Sequence, residues 1–79
     1  MKPYVGAVVQ YLRRGEVFAA IITSVPHARA GWRDPVTLSV LSPHGGLLVQ
    51  RMIERTEADP RDLAVAEPDR GFWRWAVQS

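Results

Sequence analysis

No cysteine occurs in the 79 residues, so neither a disulfide framework nor a thiolate metal site can staple the chain. Histidine is scarce too: His27 and His44 are too few for a zinc site without carboxylates from elsewhere. Lysine is almost missing, since Lys2 stands alone among ten basic residues and the rest are arginine. No Lys/Arg run exceeds Arg13-Arg14 and the net charge is only +2, so there is no basic footprint for specific DNA binding. No apolar run approaches the roughly 20 residues needed to span a bilayer. Met1-Lys2-Pro3 leads into a strand-like pattern rather than a signal peptide. These absences point to a protein of the cytosol with no membrane partner.

Catalytic patterns are missing as well. No serine sits in a nucleophile elbow, no acid pair has an acid/base context, and nothing resembles a P-loop or a Rossmann turn. Thr23 and Ser24 would need a base that neither histidine is placed to supply. The reading is a non-enzyme without metal or cofactor.

What is present is a globular chain, 47% hydrophobic, of one domain spanning residues 1–79. A chain this short buries a lower fraction of its surface than a large one, and a small core without staples often draws extra stability from oligomerisation. Residues 17–25 run without a charge, a glycine or a proline, and five of them are β-branched. Such side chains favour a strand. Its two faces, Val17/Ala19/Ile21/Val25 and Phe18/Ala20/Ile22, are both apolar, which calls for cover on both sides. A homo-oligomer with one of these faces near the contact is therefore expected.

Around this strand the chain punctuates itself. Residues 4–12 form a first strand, with Val9 and Tyr11 on one face and Gly6 at a bulge or close approach. Arg13-Arg14-Gly15-Glu16 makes a hairpin turn. Residues 26–35 are a loop with two prolines, a glycine and an aromatic, Trp32. Residues 36–41 alternate Val36, Leu38 and Val40 against Thr37 and Ser39, the cleanest period of two in the chain. Ser42-Pro43-His44-Gly45-Gly46 turns into a returning strand over residues 47–54, which places Arg51 and Arg55 on the face of Leu47, Val49 and Ile53. One helical turn is expected at residues 58–63, with Asp59 as N-cap and Pro60 first in the helix. Residues 71–77 close the chain, with Trp73, Trp75 and Val77 on one face.

Five short strands joined by hairpins and one long late loop predict an all-β fold. We expect a small five-stranded antiparallel barrel, SH3-like, with an OB-like barrel as the alternative. Val9 or Val8, Ile21, Leu38, Val40 and one of Trp73 and Trp75 would fill it.

The motifs Gly6-Ala7-Val8-Val9-Gln10-Tyr11, Ala19-Ala20-Ile21-Ile22-Thr23, Val36-Thr37-Leu38 and Gly71-Phe72-Trp73-Arg74-Trp75 carry a resemblance. The chain resembles a family of small uncharacterised phage proteins that share an Ala-Ala-Ile-Val-Thr strand and a closing Trp-x-Trp. It departs from that pattern at Gln10, Val17, Thr37 and Arg74, where the family carries His, Cys, Asn and His. The resemblance implies a phage-encoded protein in the cytosol of a bacterial host. In size and character the chain is also similar to phage anti-defence sponge proteins, which sequester nucleotide-derived signals of bacterial immunity.

That similarity implies a ligand such as a cyclic nucleotide or a cyclic ADP-ribose-type molecule. Arg51 and Arg74 would hold its phosphates, since guanidinium forks fit phosphate oxygens. Trp32 or Trp75 would supply a flat surface for the base, and Gly45 and Gly46 backbone donors. The alternative is an SH3-like protein-interaction or virion accessory module, because such barrels present aromatic grooves.

Overall fold

Arg14 and Gly15 both take positive φ, 53° and 79°, the pair of left-handed residues that lets a tight hairpin follow the twist of its strands. They join β1 (Val8–Arg13) to β2 (Glu16–Ser24). The computed structural model describes residues 2–27 and 30–76. Val77 of the expectations above lies outside the described residues. The chain continues through β3 (Val36–Leu41), β4 (Leu47–Arg55), α1 (Pro60–Ala66) and β5 (Phe72–Trp75). The strands close a barrel in sequence order, each beside the next and β5 beside β1. Strands β1 to β4 run as an antiparallel meander and a crossover brings in β5, so the barrel is mixed where a wholly antiparallel one was expected. Its order is not the Greek key of an OB-like barrel.

Cross-strand register decides which face is inside. Val9 lies opposite Ala20 and Tyr11 opposite Phe18, while Ala20 meets Val40 and Ile22 meets Leu38. Those residues therefore share the interior, where Val9, Ala20, Ile22, Leu38 and Val40 are buried with Trp73. The expectation that Ile21 fills the barrel is corrected: it lies opposite Val8 and Ser39 on the outside and is 41% exposed. The pattern of residues 17–25 does not distinguish its two apolar faces, and only the partners do.

Two irregularities re-aim the strands. Between Ile22 and Ser24 the pairing with β3 slips, leaving Thr23 as an extra residue. A second slip separates Leu38↔Gln50 from Val36↔Ile53, and Met52 there takes a φ of 55°. This bulge corrects the expected face of Arg51: Ile53 points in, whereas Leu47 and Val49 point out. The expected first strand is also shorter at its start. Gly6, at φ 91°, turns the chain so that the Ala7 N–H donates to the Tyr4 carbonyl.

The seam between β4 and β5 is parallel, with Glu54 opposite Phe72 and Arg55 opposite Trp73. A parallel neighbour needs a crossover, and α1 supplies it. The helix starts as its caps dictate: the Asp59 carboxylate accepts from the Arg61 N–H at 2.8 Å, and Pro60 follows it. Leu12 and Phe72, partners on the outside of β1 and β5, are nonetheless buried and stand apart from the main core. Helix α1 packs against β1. No helix among the described residues is long and apolar enough to cross a membrane.

Candidate functional site

The β2–β3 loop is the longest connection without secondary structure of its own, and its second half is clamped to one end of the barrel. The Arg55 N–H donates to the Arg33 carbonyl at 2.9 Å, and the Trp73 Nε1–H donates to the Asp34 carbonyl at 2.9 Å. Arg55 Nε also donates to the Asp34 carboxylate at 2.7 Å, and its Nη1 to Glu57 at 2.9 Å. Asp34 holds a left-handed φ of 43°, a conformation that aspartate tolerates better than most side chains. This short polar cluster fixes the backbone on both sides of the loop's last turn. Trp32 is the exposed aromatic beside it.

Clamping leaves a groove of about 350 Å³ lined by Lys2, Pro3, Val25, Pro26, His27, Trp32, Asp34 and Pro35. That volume lies within the range of small-molecule sites, and the lining has their character: an apolar and aromatic wall with a few polar groups. Three proline rings stiffen it, because each fixes its own φ. Lys2 brings a cation. The Arg70 guanidinium lies 6.0 Å from the centre of the Trp32 ring and 4.7 Å from that of Phe72. Arg70 is itself held by Glu54 and Glu67, so the tryptophan sits beside an anchored partner.

A second hollow of about 240 Å³ opens at the opposite end of the barrel, between the β1–β2 and β3–β4 hairpins. Tyr11, Phe18, Val40 and Leu48 form its walls, with Gln50 inside and Arg13 and Glu16 at its edge. It is the smaller of the two, and its charged pair stands in register, Arg13 opposite Glu16. Among the described residues no three His, Asp or Glu side chains gather closely enough to hold a metal ion together.

The expected site residues do not form one cluster. Trp32 lies in the groove, and Gly45 and Gly46 belong to the hairpin at the far end. Within that hairpin the Gly45 N–H donates to the Ser42 carbonyl and the His44 N–H to the Ser42 hydroxyl, so these amides serve the turn itself. Trp75 is half-buried, with its ring centre 5.1 Å from that of Trp73 and 6.2 Å from that of Tyr4. It caps the core. Arg74 lies in β5 on its outer face, opposite Gln10, to which its Nε donates at 2.7 Å. Arg51 is exposed beside the bulge of β4. Neither arginine lines the two hollows described.

Sequence reasoning missed Lys2, His27 and the proline walls, because the N-terminal residues and the loop meet only when the barrel closes. The one available signal was an aromatic inside a proline-bounded loop.

The charges around the clamp set a pH dependence. The guanidinium of Arg55 is stabilised mainly by its hydrogen bond to Asp34, which raises its pKa. Its hydrogen bond to Glu57 holds that carboxyl below the ordinary 4.5. A depressed carboxyl contributes stability above its unfolded value and loses it as pH falls through the folded one. The melting temperature is therefore expected to drop on acidification below about pH 4.5. Arg55→Ala should flatten that dependence and cost about 1–2 kcal/mol at neutral pH, since a part-buried acceptor loses its donor. Thermal melts of both proteins from neutral to acid pH check this; parallel curves would refute it.

Family models, curated proteins and solved structures return no match to this chain.

Proposed function

We propose that the protein is a non-catalytic binding module that sequesters a small, flat, anionic molecule of nucleotide type in the cytosol of a phage-infected bacterium. The observation that carries this reading is the Trp32 groove, with its aromatic wall, its cation at Lys2 and its proline-stiffened rim. A base stacked on Trp32 would gain about 1–3 kcal/mol, and the phosphates would meet Lys2. Pre-formed walls lower the ordering cost that binding otherwise incurs. This site replaces the arginine-based one expected from sequence: Arg74 is engaged by Gln10, and Arg51 stands away from the groove lining.

Calorimetry and thermal shift with cyclic oligonucleotides and cyclic ADP-ribose isomers test the reading. Trp32→Ala is expected to weaken binding by roughly tenfold to a hundredfold, the loss of one stacked base. Its melting temperature should stay close to wild type, because the ring is a surface group. If no compound binds tighter than about 10 µM, roughly −7 kcal/mol, the reading fails. A protein-interaction module then takes its place, a reading favoured by the exposed apolar side chains on the outside of the barrel, among them Val8, Ile21 and Val49.

A further inference from the structure

The inward-facing rows of the barrel do not stop at the core. Along β1 and β2, Val9 stands opposite Ala20, Tyr11 opposite Phe18 and Arg13 opposite Glu16. The period of two therefore carries the interior face out to a charged pair at the hairpin end. Across the barrel, Leu48 and Gln50 are the partners of Val40 and Leu38, which are both buried, so they face inward as well. Leu48 is nonetheless 54% exposed, because the interior opens to solvent at this end. The result is the hollow of about 240 Å³, a barrel mouth with aromatic and aliphatic walls. Mouths of β-barrels are a recurrent place for ligand sites.

Its rim carries one charge of each sign. Arg13 and Glu16 are cross-strand neighbours, a placement that sets Cβ atoms about 4.5–5.5 Å apart. Among the described residues Arg14 pairs with Asp69, but no ion pair joins Arg13 to Glu16. Both side chains are exposed, and with Phe18 they also wall an adjoining hollow beside Arg14, so there is room around their charged ends.

We infer that this barrel mouth is a site for a free α-amino acid with an aromatic side chain. The ring enters between Tyr11, Phe18 and Leu48, where its apolar surface leaves water and meets two aromatic walls. The carboxylate meets the Arg13 guanidinium and the ammonium meets Glu16, so two groups on one carbon answer two charges on adjacent strands. Charge complementarity selects this class. A purely anionic ligand would face Glu16, and a cationic one would face Arg13. A neutral apolar ligand would strip water from both charges and replace none of it. Size selects the class too, because the hollow lies below the roughly 300 Å³ at which drug-sized sites begin. The Trp32 groove shares no lining residue with it, so this inference and the nucleotide reading stand or fall separately.

Calorimetry with three ligands tests it: L-phenylalanine, phenylpropionate, which lacks the ammonium, and phenethylamine, which lacks the carboxylate. Phenylalanine is expected to bind with a Kd below about 1 mM. Each of the other two should bind about tenfold more weakly, the loss of one charged hydrogen-bonding partner. Arg13→Gln should weaken phenylalanine to the level of phenethylamine, and Glu16→Gln to that of phenylpropionate, with the far-ultraviolet spectrum unchanged. Backbone amide shifts on adding phenylalanine should centre on Phe18, Leu48 and Gln50 and spare Trp32. A phenylalanine Kd above about 1 mM, equal binding of the three ligands, or shifts centred on Trp32 overturns the inference. So do folded variants that bind phenylalanine as tightly as the wild type. Should either variant not fold, the three-ligand comparison on the wild-type chain decides alone.

Discussion

Trp73→Ala is expected to lower the melting temperature by on the order of 20 °C, the largest single effect in this chain. The indole is fully buried at the centre of the core, its ring stands edge-on to Trp75 at 5.1 Å, and its N–H reaches the Asp34 carbonyl. Truncation to alanine removes the transfer gain and leaves a cavity, together about 3–5 kcal/mol. Domains of this size hold only about 5–15 kcal/mol in total, so much of the population would unfold in mild denaturant. Trp73→Phe separates the two contributions. It keeps a ring in the core and strips the donor from the loop clamp, so a smaller loss is expected, accompanied by weaker binding at the Trp32 groove. Denaturation followed by circular dichroism reads both variants. A Trp73→Ala protein that melts within a few degrees of wild type would show that the barrel is not built around this side chain.

Gly71→Ala is expected to be the second most damaging change, although it adds one methyl group. A Cβ at that position would overlap the Tyr11 hydroxyl and lie 2.5–2.6 Å from two carbons of its ring. Tyr11 is buried, and its ring is held beside Phe18 at 6.2 Å, so it has little room to swing aside. Overpacking of this kind costs about 1–3 kcal/mol and more when the neighbour is rigid. The glycine is required by close approach and not by backbone conformation: the left-handed glycines are at positions 6, 15, 31 and 45. A smaller side chain at position 11 should therefore rescue the variant. Tyr11→Leu combined with Gly71→Ala is expected to be more stable than the sum of the single losses allows, and a double-mutant cycle measures that coupling. Additive losses would mean that the two residues do not meet.

The same two residues mark where reading the sequence succeeds and where it stops. The five strands, both hairpins and the Asp59-Pro60 helix start are legible because each depends on neighbours within a few positions. Alternation, turn glycines and caps are local physics. Trp73 and Trp75 could not be sorted into core and rim on that basis, since both lie on one face of β5 and only the barrel's taper separates them. The partners that two arginines meet were out of reach for a related reason. A guanidinium that looks available in sequence is engaged once folding brings its partner near, as Gln10 engages Arg74 across 64 positions and Glu54 engages Arg70 across 16.

By itself the sequence determined that this is one small all-β barrel without staples, with a helix interrupting the approach to its last strand. Those properties follow from composition and from periods of two and three to four residues. Tertiary structure alone decided which face of β2 is inside, because register slips by one residue invert every side chain, and the bulges at Thr23 and Met52 are invisible in the pattern. It also decided that β4 and β5 run parallel, since direction is set by how the crossover lies on the barrel. And it decided that Lys2, His27 and Trp32 share a groove, because residues so far apart in the chain become neighbours only when the ring of strands closes.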